Sequence, residues 1–129
     1  MEEKTSDALE LWTDGSTTGY GLVLKSTVGK TMCVKASVLP PSAIDHSDAE
    51  YLAVIGGLLE AKELGATRVH VRSDSDFMIN QLKGKFRIGS RMRHYYDRVQ
   101  EAIEGMEVSF EWIPRGENEA ADKLSKDLR

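Results

Sequence analysis

The first forty residues contain three extended stretches that are separated only by short glycine-bearing turns. Residues 8–13, 19–26 and 30–39 include Val and Thr and alternate apolar with polar side chains, a pattern typical of half-buried β-strands. Because connections this short cannot carry a crossover, consecutive strands are expected to pair antiparallel. Pro40 and Pro41 end the third strand, since proline removes a donor from the hydrogen-bond ladder. The sequence therefore predicts an antiparallel meander.

The rest of the chain alternates helices with strands. The segment 47–64 is apolar nearly all round its helical circumference between Tyr51 and Leu59, which predicts a well-buried helix. Periodicity and glycine stops predict further strands at 68–73 and 108–112, and helices at 76–82, 90–104 and 117–128. The order βββαβααβα combines a meander with β-α-β crossovers, so we expect an α/β fold. We expect a single domain over residues 1–129, with residues 1–7 flexible.

Composition and cysteine usage limit the class of protein. With 40% hydrophobic and 29% charged residues, the chain has the composition of a soluble globular protein. It has no apolar run long enough to span a membrane, and its acidic, polar first seven residues do not resemble a secretory signal. The single cysteine, Cys33, forbids an internal disulfide and is expected to pack in the core. We expect a cytoplasmic monomer without membrane association.

The charge distribution is uneven although the net charge is −4. Between residues 83 and 98, six Lys and Arg side chains stand against the single acid Asp97, so this segment carries +5 and the remainder −9. A basic patch beside an acidic pocket would suit a phosphate backbone held over metal ions. A solvated, charged helix face is an equally open interpretation of this segment.

Four carboxylates fall at places where the predicted elements end or begin. Two of them end strands and two lie in the first or second turn of helices: Asp14, Asp74, Glu50 and Asp122. Ligand sites in such sheets gather at strand ends and helix N-termini. Like charges crowded together repel one another, and divalent cations remove that cost. Oxygen-only ligands favour Mg²⁺ or Mn²⁺, and paired divalent ions hydrolyse phosphodiesters, so the pattern predicts a metal-dependent nuclease.

Each acid also has a structural explanation of its own. Asp14 could belong to a hairpin turn with Gly15, and Glu50 could close a capping box with Ser47. Asp74 could help to cap the helix that follows it, and Asp122 could complement a helix dipole. The three histidines of the chain lack metal-ligand spacing. It is the joint pattern of the four acids that favours a single site.

Four short motifs in order resemble the type 1 ribonucleases H. They are Thr-Asp-Gly-Ser at 13–16, Ala-Glu-Tyr-Leu-Ala at 49–53, Asp-Ser at 74–75 with Asn-Gln-Leu at 80–82, and Glu-Asn-Glu-Ala-Ala-Asp at 117–122. The resemblance covers residues 8–127. It implies a ribonuclease H-like fold, with helices flanking a mixed five-stranded sheet in the order 3-2-1-4-5 and strand 2 antiparallel. It also implies hydrolysis of the RNA strand of an RNA/DNA hybrid, leaving 5′-phosphate and 3′-hydroxyl ends.

The resemblance assigns roles to individual residues. It implies two Mg²⁺ or Mn²⁺ ions, with Asp14 shared between them, Glu50 and Asp74 completing one site and Asp122 the other. Arg115 would stabilise the product phosphate. Substrate contacts are predicted along the same motifs and the basic segment, at Gly15, Ser16, Ser47, Asn80, Lys83, Lys85, Arg87 and Asn118.

The chain also departs from the bacterial members of that family. The loop before Asp122 is compressed to residues 113–118 and has no histidine, and the basic protrusion is reduced to residues 83–87. In both respects the chain resembles the archaeal and plant-type members. Two alternatives stay open, namely a catalytically silent nucleic-acid-binding module of the same fold, or a related nuclease acting on double-stranded RNA or branched DNA.

Overall fold

The structure, a computed structural model, describes residues 8–43 and 46–126. Two short 3-10 turns, Ser90–Met92 and Arg115–Glu117, lie among the regular elements. The predicted order of strands and helices is confirmed, whereas the segment 1–7 that was expected to be flexible lies outside the described residues. The elements are β1 (Ala8–Gly15), β2 (Gly19–Ser26), β3 (Thr31–Val38), α1 (His46–Glu63), β4 (Arg68–Ser73), α2 (Asp76–Leu82), α3 (Arg93–Ile103), β5 (Glu107–Trp112) and α4 (Glu119–Lys126).

The five strands form one mixed sheet in the order β3-β2-β1-β4-β5. The short turns make β2 antiparallel to both β1 and β3, while the helical crossovers return β4 and β5 parallel to β1. The predicted α/β fold, strand order and antiparallel strand 2 are all confirmed. Because β1 and β4 are neighbouring parallel strands, their C-terminal ends, which carry Asp14 and precede Asp74, lie at the same edge of the sheet.

The main core lies between the sheet and α1. Leu11 of β1 and Val71 of β4 are fully buried on the sheet face that α1 covers, and α3 also packs against α1. Contact with both the sheet and α3 buries most of this apolar helix, including Val54 and Leu58, whereas Leu59 is 48% exposed.

The last helix, α4, packs on the opposite face of the sheet, against β2 and β1. Gly21 of β2 allows a close approach, because a Cβ atom there would lie 2.5 Å from Cβ of Leu124 and 2.7 Å from the carbonyl oxygen of Ala121. This packing brings the side chains of α4 to the end of β1.

Some predicted boundaries and environments differ from the structure. The third strand is shorter by one residue at each end, and the predicted helix 90–104 begins with a 3-10 turn. The predicted helix 117–128 begins only at Glu119, because the residues after Pro114 form a separate 3-10 turn, and residues 127–128 lie outside the described range. Cys33 is half-buried against the core. Over residues 8–43 and 46–126, no helix has the length and apolar character needed to cross a membrane.

Candidate active site

Asp14 is a strand residue and not a turn residue. It pairs with Gly21 in the β1–β2 ladder, and the connecting turn is closed further on by the Ser16 amide, which donates to the Gly19 carbonyl at 2.8 Å. The Asp14 residue is only 4% exposed. The structure therefore gives Asp14 no role in the turn, and its carboxyl group is buried at the sheet edge.

Glu50 lies in the first helical turns of α1 and is 7% exposed. The helix begins at His46, so Ser47 lies inside the first turn and cannot serve as the N-cap of a capping box. The backbone amide of Gly15 instead donates a hydrogen bond to the Glu50 carboxylate. Gly15 also lets α1 approach β1 closely, since a Cβ atom there would lie 2.5 Å from the carbonyl carbon of Ala49 and 2.6 Å from the Glu50 nitrogen.

Asp74 follows β4 directly, and its side chain is largely buried. Ser75, rather than Asp74, caps α2, because its hydroxyl accepts from the Met78 amide at 3.4 Å. The indole nitrogen of Trp112 donates to the Asp74 carbonyl at 3.2 Å and so ties the end of β5 to the same point. The Asp74 carboxylate is thus left out of the capping interaction.

These three acids converge. One ligand oxygen from each of Asp14, Glu50 and Asp74 lies within 4.8 Å of the other two. Glu50 Oε1 and Asp74 Oδ2 are buried, and neither has a hydrogen-bond partner among the described residues. Buried carboxylate oxygens without partners are costly, and a hard divalent cation is the ligand that satisfies several of them together. The donor set therefore fits a hard divalent cation.

The electrostatics reflect the crowding of these carboxylates. Burial, followed by the hydrogen bond with Asp122 and the charge of Asp74, raises the pKa of Asp14 to about 8. Burial, followed by the charges of Asp14 and Asp74, raises the pKa of Glu50 to about 9, although Gly15 and Arg115 act in the opposite direction. Both shifts favour the protonated form in the metal-free protein, and a cation that binds competes with those protons.

Asp122 joins the site from α4. It lies outside the group of three but accepts a hydrogen bond from the protonated Asp14 carboxyl. Burial raises the pKa of Asp122, but the hydrogen bonds with Asp14 and Lys126 outweigh it, so the net pKa is below the ordinary value. Lys126 Nζ lies 3.3 Å from Asp122 Oδ1. All four predicted carboxylates therefore lie close together. Asp122 also forms an ion pair with Lys126 of its own helix.

Ser16 connects the β1–β2 turn to α4. Its hydroxyl donates to the Ser125 carbonyl at 2.8 Å, and the Thr18 hydroxyl donates to the same carbonyl at 3.1 Å. The Ser125 hydroxyl in turn donates to the Asp122 carbonyl at 2.8 Å and lies 3.4 Å from Asp14 Oδ2. The Ser16 side chain is therefore engaged within the protein, and its predicted contact with a substrate stays a prediction.

A cleft of about 320 Å³ opens above the carboxylates. Its lining includes Asp14, Glu50 and Asp122 together with the basic side chains of His46, Arg115 and Lys126. The Arg115 side chain is 72% exposed, and its Nε lies 3.9 Å from Asp74 Oδ2. The cleft therefore combines carboxylates, which can bind cations, with basic side chains, which can bind anions, as hydrolysis of a phosphodiester requires.

The remaining predicted substrate residues lie in different environments. Asn118 is buried and donates to the Thr13 carbonyl at 2.8 Å, and the Asn80 amide donates to the Asp76 carbonyl at 2.9 Å on its own helix. Lys83, Lys85 and Arg87 are exposed on the segment between α2 and α3. Among the predicted substrate residues in the described part of the chain, these three combine exposure with the positive charge that suits contact with a long anionic ligand.

An exposed aromatic pair was not predicted from the sequence. The rings of Phe77 and Phe86 have centroids 5.7 Å apart, and both side chains are exposed. Phe86 lies between Lys85 and Arg87 in the sequence, and this alternation of aromatic and basic residues was the available signal.

Comparisons with known proteins agree with this architecture. A family model described as "Reverse transcriptase-like" matches residues 7–128. The bifunctional protein Rv2228c of Mycobacterium tuberculosis is 30% identical over 111 residues, which are 84% of this chain. The chain spans only 30% of the length of that protein.

Solved structures show the same fold. The N-terminal RNase H domain of rv2228c from M. tuberculosis, solved as a fusion with maltose binding protein, has a TM-score of 0.86 at 26% identity, covering 93% of this chain and 91% of that one. RNase H1 from Halobacterium salinarum NRC-1 has a TM-score of 0.84 at 26% identity, covering 91% and 93%. LC11-RNase H1 in complex with an RNA/DNA hybrid has a TM-score of 0.82 at 22% identity, covering 90% and 92%.

Proposed function

Because the chain belongs to the reverse transcriptase-like family of ribonuclease H-fold domains, we propose that it is a ribonuclease H. It hydrolyses the RNA strand of RNA/DNA hybrids with two divalent ions and leaves 5′-phosphate and 3′-hydroxyl ends. The known structures with this fold include one that is bound to an RNA/DNA hybrid.

The observation that carries the proposal is the convergence of Asp14, Glu50 and Asp74. A carboxylate that only capped a helix or closed a turn would not need to lie within 4.8 Å of two others in a buried position. A silent binding module would gain nothing from keeping this repulsive arrangement, whereas a metal-dependent nuclease requires it.

In this proposal Asp14 would serve both ions, Glu50 and Asp74 would complete one site, and Asp122 would complete the other. When bound, the ions neutralise the carboxylates and stabilise the negative charge that develops on the phosphate oxygens. The protein's own groups orient the substrate. The Gly15 amide fixes Glu50, and Arg115 lies where it can contact a phosphate oxygen. Glu50 can also accept from a ribose 2′-hydroxyl, the group that distinguishes RNA from DNA.

Binding of the long substrate is assigned to the exposed segment after α2. Lys83, Lys85 and Arg87 offer charge to the phosphate backbone, and the Phe77–Phe86 pair offers an apolar surface to sugars or bases. These contacts are independent of sequence, so cleavage should show little base preference.

The proposal is tested with the purified chain and end-labelled substrates of one sequence. An RNA/DNA hybrid, a double-stranded RNA, a DNA duplex and a branched DNA are incubated with Mg²⁺, with Mn²⁺ or with EDTA, and Asp14→Asn serves as the matched control. We expect metal-dependent cleavage of the RNA strand of the hybrid alone, with products that carry a 5′-phosphate. Hybrid binding without cleavage would favour a silent module, and cleavage of another substrate would favour a related nuclease.

A further inference from the structure

Asp48 is a buried carboxylate that the proposed reaction does not use. It lies in the first turn of α1 and is only 1% exposed. Nη1 of Arg91, from the 3-10 turn before α3, lies 3.1 Å from Asp48 Oδ1 and 3.2 Å from Oδ2. The Tyr95 hydroxyl also hydrogen-bonds to the Asp48 side chain. A carboxylate in this position is therefore held by two groups from the α3 side.

The first turns of α1 are consequently held from two directions. On the sheet side, Gly15 packs against the backbone at Ala49 and its amide binds the Glu50 carboxylate. Residues two positions apart on a helix project about 200° apart, so Asp48 and Glu50 point to opposite sides. On the α3 side, Asp48 binds Arg91 and Tyr95, whereas Glu50 is held on the sheet side.

A second set of contacts, made by Tyr51, lies on the same side of α1. The rings of Tyr51 and Tyr95 are stacked, with centroids 5.9 Å apart and planes 14° apart. The Tyr51 hydroxyl donates to Gln81 Oε1 at 2.6 Å, and the Gln81 amide donates to the Arg87 carbonyl at 3.3 Å. A continuous set of contacts therefore runs from the start of α1 to the exposed basic segment.

Net stability is a poor explanation for the Asp48–Arg91 pair. The Asp48 side chain is buried but that of Arg91 is 44% exposed, and an ion pair that solvent reaches adds little net stability once the desolvation of the buried partner is counted. A carboxylate in the first turn of a helix already interacts favourably with the helix dipole when it is exposed to solvent, and needs no burial for that purpose. What burial against Arg91 and Tyr95 adds is a fixed position for the helix end.

We propose that Asp48 and Arg91 are positioning residues for the carboxylate site, because their ion pair fixes the first turns of α1 and thereby the Glu50 side chain relative to Asp14 and Asp74. This inference rests on the proposed function in taking Glu50 as a metal ligand.

The test compares D48N and R91Q with D97N. Asp97 forms an exposed ion pair with Arg93 within α3, so D97N makes the same chemical change away from α1. Amide hydrogen exchange, measured in EDTA, should accelerate about tenfold at residues 46–51 in D48N and R91Q, but not elsewhere and not in D97N. Unchanged exchange at 46–51, or a uniform increase over the whole chain, would overturn the proposal.

A second measurement follows the thermal stabilisation of each protein by Mn²⁺. We expect D48N and R91Q to need roughly tenfold more Mn²⁺ for the half-maximal shift, the lower end of what groups supporting a metal ligand contribute. R91K, which keeps the charge, should recover part of the affinity. A lower melting temperature with an unchanged Mn²⁺ midpoint would show a purely structural role and overturn the proposal.

The two measurements separate this inference from the proposed function. If Mn²⁺ does not stabilise the wild-type chain, the metal site fails, while hydrogen exchange still decides whether the pair orders Glu50. If a single variant does not fold, the double variant D48N/R91Q carries the same test, because it leaves no charge buried without its partner.

Discussion

Replacing Asp14 with asparagine should make the metal-free protein more stable while abolishing hydrolysis. Asparagine has the shape of aspartate but takes no charge, so it removes the most crowded carboxylate and keeps the β1 backbone as it is. The side-chain contacts at risk are the hydrogen bonds of Asp14 with Asp122 and Asp74 and the 3.4 Å approach of the Ser125 hydroxyl to Asp14 Oδ2. An asparagine amide can donate to carboxylates through its nitrogen and accept from a hydroxyl through its oxygen.

The size of the effect follows from the pKa of Asp14, which burial and then the interactions with Asp122 and Asp74 raise from 3.8 to about 8. Each pH unit between the unfolded and folded pKa costs about 1.4 kcal/mol, which sets an upper limit of about 4 kcal/mol at pH 7. The cleft is open to water on one side, so we expect about 1–2 kcal/mol of unfolding free energy, or roughly 4–8 °C in Tm.

The pH dependence gives the prediction its sign. Between the unfolded pKa of 3.8 and the folded pKa of about 8, the folded wild type binds more protons than the unfolded chain. Its stability in EDTA therefore falls as the pH rises through this interval. Asparagine does not titrate, so the advantage of Asp14→Asn should be close to zero near pH 4, grow with pH and level off above pH 8.

Thermal melts of both proteins in EDTA at half-unit pH steps provide the assay, and a second series adds Mg²⁺. Magnesium should stabilise the wild type more than the variant, since only a ligand that binds the native state raises stability. A variant that is less stable by the same amount at every pH, or that keeps wild-type activity, would refute the reasoning. Asp14 would then be a structural residue of the sheet edge.

Three further predictions concern other parts of the site. Gly15→Ala should lower the unfolding free energy by about 1–3 kcal/mol in thermal melts, because its Cβ would overlap Ala49, and an unchanged Tm would show that α1 can shift freely. Arg115→Ala should lower turnover by about 10- to 100-fold if it contacts the transition state, whereas wild-type turnover would make it a solvated turn residue. Charge reversal at Lys83, Lys85 and Arg87 should raise KM more than it lowers kcat and should weaken the salt dependence of binding, and an unchanged KM at low salt would show that this surface does not meet the substrate.

The sheet was predictable because its signals are local. Alternation in β2 and β3, the prolines after β3 and the all-round apolar α1 each reflect one element and its nearest neighbours. The pairing of β1 with β4 was implied by the family resemblance and not by these local signals, because a β-α-β crossover does not by itself select which strand becomes the neighbour. The start of α4 was missed because a 3-10 turn and an α-helix share the same preference for residues after Pro114.

The site was less predictable, since it depends on contacts between distant residues. Asp14 and Glu50 can lie close together because Gly15 has no side chain and its backbone packs directly against Ala49. A packing contact of this kind leaves no periodic signal in the sequence. Ser16 lies in a polar turn whose composition is typical of a ligand-binding loop. Its hydroxyl nevertheless donates a hydrogen bond to the carbonyl of Ser125, 109 residues further along the chain. Asp48 was not singled out from the sequence, because its burial depends on Arg91, 43 residues away.

The position of α4 has a consequence for biosynthesis. It is the last described element along the chain, yet it supplies Asp122 and anchors the β1–β2 turn through the Ser125 carbonyl. A ribosome adds about 5–20 residues per second and releases the chain from its N-terminus, so β1, α1 and β4 emerge before the helix that completes their site. A nascent chain that ends before Glu119 carries three of the four carboxylates and leaves one face of β2 uncovered. The order of synthesis thereby leaves the candidate site without its fourth carboxylate until the segment that forms α4 has been made.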